Sequence, residues 1–498
     1  MADQPSFAIV RGGGGVVAGT PGRSSPIIAL LPPMCLLPIA AFGVNAPLAL
    51  YACAILGIGI ALLWRRGEPP ILLFVFLYQW LQSAAGPLYG NLVGLSPDDL
   101  AEHVGRHDLA CFLMLTGTLV LAIGMRLAAG PSSTDLTERI KAFVGSRPIG
   151  FWLRIYAGAW VFGAACEMLG WLSGPLMQPL LALAQVKWAG FMLLTFATFA
   201  IPGRPKSIWF AAFAIEFVLS IGGYFSSFKD IFFYALFGFV ASDTRLTPGR
   251  LLSLILAGSL LIGLGVIWSA VKRDYRSYLN EGNSEQVVLV SYADRMGKLE
   301  QMVGDMRSED YARGAENFAR RLMYYEFFGV AITNVPENLP HTNGAIWSDA
   351  ILRSFQPRLL FPGKTAVNDS DLTNKYTGLN VFSYDKGASI SLGYMAEAYI
   401  DFGAILMFLP ILLLGCGLGR VYRWLLTQPG RDGVLGAALS TFTIMPAAFA
   451  ESSILKTIPS LLLCILACFA ILRAIAPLIW GVEKTSSGRR SVSGTSSP

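Results

Sequence analysis

The chain has 498 residues, of which 54% are hydrophobic and 14% are charged, and its formal net charge is +6. A soluble globular protein carries roughly 25% charged residues, so the composition excludes an ordinary soluble protein and predicts an all-α polytopic membrane protein. Basic residues occur in short clusters between apolar runs, a pattern that membrane topology explains better than nucleic-acid binding does.

Apolar runs divide the chain into predicted membrane spans. A helix needs about 20 mostly apolar residues to cross a bilayer, and runs of that kind predict about 12 transmembrane helices. The predicted spans are 26–43, 47–64, 69–86, 108–129, 150–172, 178–201, 207–225, 229–242, 251–270, 398–424, 433–450 and 457–480. They divide into a bundle of nine spans (26–270) and a group of three (398–480). Polar residues 1–25 and 481–498 are predicted to be disordered cytoplasmic tails.

The basic residues also predict the orientation of the chain. With the N-terminus inside, most loop cations face the cytoplasm, and the short outer loops hold chiefly Arg106, Lys229 and Lys456. The positive-inside rule therefore predicts that both termini are cytoplasmic. The long segment 271–397 then lies on the outer, periplasmic side of a bacterial inner membrane. Its first half shows helix-like apolar spacing, and 331–390, rich in Pro, Gly, Asn and aromatic residues, indicates loop.

The first candidate site is a group of cations in the second half of the outer segment. Arg353, Arg358 and Lys364 fall within about a dozen residues, and Pro357 and Pro362 stiffen the chain between them. An arginine offers phosphate a planar, two-pronged donor set, and a lysine offers a point charge. The cluster suits a diphosphate near the membrane surface. A basic patch that faces solvent or lipid headgroups is the alternative.

The second candidate is a pair of carboxylates where the tenth span begins. Glu397 and Asp401 are one helical turn apart on the same face, and Tyr394 is nearby. A carboxylate at the membrane interface beside a cationic loop can act as a general base or position a hydroxyl group. The alternative is that the two acids only compensate the dipole at a helix N-terminus.

Other charged residues lie at the outer ends of spans or within them. Lys229 and Asp230 occupy a tight outer turn, where Lys229 can face the same cavity as the loop arginines or form a salt-bridged turn. Glu167, Lys187 and Glu216 lie in apolar stretches, and Glu167 and Lys187, on consecutive spans, could pair. Such charges are costly in a bilayer, so a structural ion pair and a wet functional cavity are both open readings.

The sequence contains little evidence of a metal-binding or nucleotide-binding site. All seven cysteines fall inside apolar runs, which excludes a cysteine-based site in the polar segment. His103 and His107 have an i, i+4 spacing that suits a metal, but a third ligand is lacking, so an exposed entry to the fourth span is favoured. No P-loop or dinucleotide-binding glycine pattern occurs. The sequence predicts neither a metal nor another cofactor.

Three stretches, PRLLFPGK, NKYTG and GYMAEAYIDFG, together with the layout of the spans, resemble the O-antigen polymerase family. The resemblance implies a glycosyltransferase that polymerises polyprenyl-diphosphate-linked oligosaccharide repeat units into O-antigen or exopolysaccharide at the periplasmic face. It also implies membrane lipid, a chain-length regulator and a flippase as partners, and no nucleic acid. The chain departs from the family at Gly363, where an Asp is common, and at Thr365, where a Pro is common.

The resemblance also implies roles for individual residues. The loop cations would contact diphosphate or anionic glycan, and the chemistry of the reaction places Glu397 near the acceptor hydroxyl. The predicted catalytic residues are Glu397, Arg353 and Arg358, and the predicted substrate-binding residues are Lys364, Lys229, His341, Tyr376, Tyr399 and Asp401.

Three other functions are compatible with this sequence. A ligase would use the same donor but pass the finished polymer to another acceptor, and the layout of spans does not separate it from a polymerase. A flippase or transporter of lipid-linked oligosaccharide would also have many spans and cationic cavities, although such proteins usually lack one long outer loop. A structural subunit of an exopolysaccharide complex is the third alternative.

Overall fold

The computed structural model of the protein describes residues 26–133, 135–173, 176–221, 227–242, 247–281, 289–356, 360–361, 363–364, 368–379 and 390–477. All regular structure in these ranges is helical, and no strand occurs there. The all-α class is therefore confirmed. The predicted tails lie outside the described residues.

The helices, in chain order, have the following bounds. They are α1 (Pro26–Ala40), α2 (Ala46–Leu63), α3 (Ile71–Val93), α4 (Pro97–Leu100), α5 (His107–Ala129), α6 (Leu136–Gly145), α7 (Ile149–Leu172), α8 (Met177–Ala184), α9 (Val186–Phe199), α10 (Ser207–Ser220), α11 (Phe228–Ser242), α12 (Pro248–Leu279), α13 (Tyr292–Gly304), α14 (Ser308–Leu322), α15 (Glu326–Asn334), α16 (Ala345–Ser354), α17 (Asp369–Thr377), α18 (Tyr394–Leu406), α19 (Phe408–Leu426), α20 (Gly430–Ile444) and α21 (Ile454–Ala470). A 3₁₀ turn (Met445–Ala447) follows α20, and a π turn (Ile471–Ile475) extends α21.

Eight helical stretches among the described residues are long and apolar enough to cross a membrane. They are α2, α3, α5, α7, α8 with α9, α12, α19, and α21 with its π turn. The chain is thus a multi-pass membrane protein. The other four predicted spans correspond to the shorter helices α1, α10, α11 and α20, so the count of twelve stays a prediction.

Glycines bring the central helices α5 and α19 into close contact. A Cβ atom on Gly415 would lie 2.4 Å from the carbonyl oxygen of Leu121, and one on Gly419 would lie 2.3 Å from that of Met125. On α5, a Cβ on Gly124 would lie 2.5 Å from the Leu412 carbonyl oxygen. Small residues four apart let membrane helices approach closely enough to pack backbone against backbone.

The predicted tenth span, 398–424, is not one continuous helix. Gly403 has φ 73° and ψ 178°, which breaks the helical path within α18, shortly before α19 begins. A Cβ at this position would also lie 3.3 Å from Nε2 of His341. Residues 394–401 on the first side of the break are all buried, whereas α19 on the other side has the length and composition of a span. Glu397 and Asp401 therefore lie on a buried helix that precedes α19.

The outer segment contains more helix than its composition indicated. Helices α13 and α14 lie in the half predicted to be helical, but α15, α16 and α17 occupy much of 331–390, which was predicted to be loop. The Asn and Gly residues there act as helix ends instead. The Asn368 side chain accepts a hydrogen bond from the Ser370 N–H to begin α17, and Gly378 ends that helix with φ 72°.

Candidate functional site

The segment of residues 449–456, which leads into α21, gathers the polar contacts of the candidate site. The Tyr394 N–H donates to the Ser452 carbonyl oxygen at 3.0 Å. Gly393, just before α18, makes this approach possible because a Cβ there would lie 2.2 Å from the Ala450 carbonyl oxygen, and its φ of 84° disfavours other residues. The first glycine of GYMAEAYIDFG thus has a packing reason, as does the last, Gly403.

Glu397 is buried at the N-terminus of α21. One carboxylate oxygen, Oε2, accepts a 2.7 Å hydrogen bond from the Ile454 N–H, and the Ser453 side chain contributes a second hydrogen bond. The other oxygen, Oε1, has no partner among the described residues. Glu397 precedes the membrane-spanning helix α19, and burial raises its pKa to about 7, against the lowering effect of these hydrogen bonds. A carboxylate with that pKa and an unoccupied oxygen is suited to accept a proton near neutral pH.

Asp369 and Lys456 form an ion pair next to Glu397. Lys456 Nζ lies 2.5 Å from Asp369 Oδ2, while Asp369 Oδ1 is buried without a partner among the described residues. The Asp369 side chain is 7% exposed and that of Lys456 is 49% exposed. Lys456 therefore connects the buried carboxylates with the surface of the protein.

Tyr324 lies between three carboxylates. Its hydroxyl donates to the Ser391 carbonyl oxygen, and the charges of Glu451, Asp369 and Glu397 all act on it. These three acids, with Tyr324, are called here the carboxylate cluster. Burial raises the pKa of the Tyr324 hydroxyl, and the negative charges of the three acids raise it further, so the hydroxyl keeps its proton.

Two glutamines of α3 make hydrogen bonds at the candidate site, Gln82 with the 449–456 segment and Gln79 with Tyr394. Gln82 donates through Nε2 to Glu451 and accepts through Oε1 a 2.9 Å hydrogen bond from the Ala450 N–H. Gln79 accepts from the Tyr394 hydroxyl at 2.7 Å through Oε1. Buried amides that use both donor and acceptor atoms hold their partners in defined positions.

Asp401, predicted to bind substrate, caps a helix from elsewhere in the chain. Its carboxylate accepts the N–H groups of Ile346 at 3.1 Å and Trp347 at 2.9 Å, at the start of α16, and the Thr342 hydroxyl donates to it. The Asp401 residue is 1% exposed. A carboxylate at a helix N-terminus satisfies N–H groups that lack partners within the helix. Its role in substrate binding stays a prediction.

Three other predicted binding residues also make contacts within the protein. The Tyr399 hydroxyl donates to the Val335 carbonyl oxygen at 3.0 Å, and its ring packs edge-on against His341. His341 Nδ1 lies 3.2 Å from the Ile400 carbonyl oxygen. Tyr376 is buried on α17, and its carbonyl oxygen accepts from the Asn334 side chain at 2.9 Å. These contacts join α18 to the residues that follow α15, and α15 to α17.

The predicted cation cluster lies at the C-terminal end of α16. Arg353 Nε donates to Asp349 at 2.6 Å, and the Lys364 ammonium donates to the carbonyl oxygens of Arg353 at 2.7 Å and Gln356 at 3.0 Å. The structure therefore brings Arg353 and Lys364 together. Arg358 lies outside the described residues. Cations at the carboxyl end of a helix stabilise its last carbonyl groups.

Lys229, at the start of α11, lies over aromatic rings. Its Nζ is 4.9 Å from the Phe449 ring centroid and 5.8 Å from that of Tyr78. Because Phe449 begins the 449–456 segment, Lys229 and Lys456 approach the carboxylate cluster from the two ends of that segment.

The ion pair that Lys187 and Glu167 could form is not present. Lys187 Nζ lies 3.0 Å from Glu216 Oε2 instead, and the Tyr156 hydroxyl donates to Glu216 at 2.7 Å. Glu167 is exposed on α7. Sequence spacing could not choose between the two acids. Glu167 lies on the predicted span before that of Lys187, and Glu216, on α10, lies on the predicted span after it.

The histidines of the fourth-span entry contact acids separately. His103 Nδ1 lies 2.6 Å from Glu326 Oε1, and His107 Nδ1 lies 3.0 Å from Asp98 Oδ1. Across the described ranges no three His, Cys, Asp or Glu side chains come together in a way that would hold a metal ion.

Most of the carboxylate cluster was not predicted from the sequence. Asp369, Glu451 and Tyr324 were not singled out, and Lys456 was used only as an orientation marker. A signal did exist: the short polar stretch ESS, from Glu451 to Ser453, interrupts two apolar runs, and such a break between spans often lines a site. Its contacts with residues more than 300 positions away were not visible in the sequence.

Comparison with known proteins gives no match: no family model, no curated protein and no solved structure matches the chain. The fold and site establish the class of the protein, a multi-pass α-helical membrane protein with a buried cluster of carboxylates.

Proposed function

We propose that the protein is a glycosyltransferase that polymerises polyprenyl-diphosphate-linked oligosaccharide repeat units, with Glu397 as general base. The observation that carries the proposal is the Glu397 carboxylate, which has one oxygen held by the Ile454 N–H and the other without a partner among the described residues. The three sequence stretches that resemble O-antigen polymerases support it, since the third of them contains Glu397.

In the proposed reaction, the acceptor is a sugar hydroxyl of one lipid-linked unit. Glu397 Oε1 takes the hydroxyl proton as the oxygen attacks the anomeric carbon of the growing glycan. The bond between that carbon and the diphosphate breaks, and the polyprenyl diphosphate departs with the bonding electrons. The transition state has oxocarbenium character, so negative charge close to the sugar ring stabilises it. The energy resides in the donor bond, and the reaction consumes no nucleotide.

The cations have a separate task in the proposal. The leaving diphosphate gains negative charge as the bond breaks, and cations placed there in advance lower the barrier. Lys456 and Lys229 flank the carboxylate cluster, whereas Arg353 and Lys364 lie on and beside α16, which packs against α21. We propose that these four cations bind the diphosphate, and we assign the same role to Arg358.

We further propose about twelve spans with both termini in the cytoplasm of a bacterium and the site at the periplasmic face. A cysteine at exposed Glu337, in a Cys35→Ala background that lacks the exposed native cysteine, is expected to react with a membrane-impermeant thiol reagent in cells whose outer membrane is permeabilised. A cysteine at exposed Ala142 is the control and is expected to react only after lysis. The reverse pattern would invert the topology.

Deletion of the gene, followed by analysis of lipid-linked glycans and surface polymer, tests the proposed reaction. A polymerase predicts loss of long polymer while single repeat units remain exposed on the periplasmic face. Single units trapped on the cytoplasmic face would identify a flippase instead. Full-length polymer retained on its lipid carrier would identify a ligase, which needs the same donor chemistry at the site.

A further inference from the structure

Helices α12 and α14 cross closely at the outer end of α12. A Cβ on Gly314 of α14 would lie 2.7 Å from the Val266 carbonyl oxygen, and a Cβ on Gly265 of α12 would lie 2.6 Å from the Phe318 ring. The apolar, membrane-spanning stretch of α12 has no buried residue, whereas Val271, near its outer end, is buried. The crossing therefore holds two rigid helices together at a fixed separation.

A cavity of about 570 Å³ opens beside this crossing. Its charged lining consists of five cations and one carboxylate: Lys272, Arg273, Arg276, Arg320, Arg321 and Glu102. Asn280, Asn317 and two serines supply neutral hydrogen-bonding groups. The lining residues of α12 recur every three or four positions, so they share one helix face, and those of α14 do the same. This space is called here the α12–α14 pocket.

The cations in the lining of the pocket outnumber its one carboxylate. Arg320 contacts Glu316 at 3.1 Å and Glu102 at 3.9 Å, and it donates to the Leu100 carbonyl oxygen. Lys272 is half-buried, and the positive charges of Arg321, Arg276 and Lys229 all act on it. Like charges that converge on a half-buried lysine oppose folding, and an anion bound among them would relieve the repulsion.

We propose that the α12–α14 pocket binds a phosphate or diphosphate group, carried either by a lipid headgroup or by a soluble molecule. Two arginines on α14 and two on α12 offer forked donors that match phosphate oxygens, and Lys272 adds a point charge from within. The cavity volume suits a diphosphate with part of its organic group. The proposal goes beyond the polymerase reaction, since it concerns residues outside the carboxylate cluster and holds whether or not Glu397 is a base.

The test uses the purified full-length protein, inorganic pyrophosphate as the soluble probe and isothermal titration calorimetry. The variant Lys272→Gln/Arg321→Gln removes two charges from the pocket. Arg313→Gln is the control, because Arg313 lies on α14 but pairs with Asp310 outside the pocket. We expect the double variant to bind pyrophosphate at least tenfold more weakly than wild type, and the control to bind within twofold of it. Relief of repulsion predicts that the empty double variant unfolds at the same temperature as wild type or a higher one.

A second arm distinguishes the two sources of the phosphate group. Protein in phosphatidylcholine nanodiscs is compared with protein in discs that also contain phosphatidylglycerol. If the ligand is a lipid headgroup, phosphatidylglycerol raises the unfolding temperature of wild type and of Arg313→Gln but not of the double variant, and pyrophosphate has little effect. If the ligand is soluble, only pyrophosphate raises the unfolding temperature of wild type and of Arg313→Gln above that of the double variant. Equal responses of wild type and the double variant to both probes would overturn the proposal, as would an equal loss in Arg313→Gln.

Discussion

The carboxylate cluster and the α12–α14 pocket differ in the sign, the burial and the partners of their charged side chains. In the first region the charges are acidic and largely buried, and a backbone N–H group, a glutamine amide and Lys456 each contact one carboxylate oxygen. In the second they are mainly cationic, line an open cavity and outnumber the one carboxylate beside them. Where the protein supplies the partners, a lost charge lowers stability. In the α12–α14 pocket, where cations outnumber the lining carboxylate, the proposed ligand predicts that a lost charge lowers ligand binding.

Two residues on one helix show the same contrast at short range. Asp401 uses both oxygens to hold the start of α16, whereas Glu397, one turn earlier, leaves Oε1 without a partner among the described residues. The two acids have the same chemistry and nearly the same burial. The proposed catalytic role of Glu397 rests on this difference in hydrogen bonding, and the following experiments test it.

Glu397→Gln has the largest expected effect. The amide oxygen still accepts from the Ile454 N–H, so the fold is kept, but the group no longer takes a proton. General-base catalysis contributes roughly a hundredfold or more, so polymer formed per unit time is expected to fall by about that factor. Gel analysis of polymer, normalised to the amount of inserted protein, measures it. Wild-type polymer from a well-inserted Glu397→Gln protein would rule out the base.

Asp401→Asn is expected to act on stability. An amide has one acceptor oxygen, so at least one N–H at the start of α16 loses its partner and faces the amide NH₂. A buried donor left unpaired costs about 2 kcal/mol, which predicts a lower unfolding temperature for the purified protein. Asp371→Asn on the exposed side of α17 is the matched control. Equal stability of the two variants would show that the cap contributes little.

The pH dependence of the reaction reports on Glu397 directly. Burial raises its pKa to about 7, so the carboxyl holds its proton below that pH and accepts one only above it. The rate is expected to rise about tenfold per unit below pH 7 and to level off above it. Asp371→Asn leaves this profile in place. A rate that does not change between about pH 5 and pH 8 would contradict the assignment of Glu397 as base.

Arg353 has the smallest expected effect of the four. Arg353→Ala removes the proposed charge-assisted contact to diphosphate, and contacts of this kind contribute about 1.5 kcal/mol or more, so polymer is expected to fall close to tenfold. Arg353→Lys is expected to be impaired too, because the two-pronged geometry is lost. Arg313→Ala removes a comparable surface ion pair and is the control. Full activity of Arg353→Lys would show that only charge matters there.

Features set by local composition could be predicted from the sequence. The second span, 47–64, corresponds to α2 (Ala46–Leu63), and the fourth, 108–129, corresponds to α5 (His107–Ala129). An apolar run long enough to span a bilayer is expected to be helical, because a helix pairs the backbone N–H and carbonyl groups within the segment. Glu397 could also be found, since its motif lies at the start of a predicted span.

Features set by distant contacts could not be predicted. Gly344 directly precedes α16, and the carboxylate that caps this helix is Asp401, more than 50 residues away. The break at Gly403 depends on a backbone angle that no apolar pattern reports. Likewise, the 449–456 segment reads as a short loop, and only the fold places Gln82 and Glu397 against it.

Reconstitution of the purified protein with synthetic lipid-linked repeat units is the most direct test of the proposed reaction. The protein in vesicles that contain these units, with a metal chelator and no nucleotide added, is expected to produce a ladder of longer lipid-linked glycans. Glu397→Gln is expected to produce none above background, and Asp401→Asn, assayed below its unfolding temperature, is expected to retain the ladder. Movement of intact single units across the bilayer with no ladder from wild type would contradict the account.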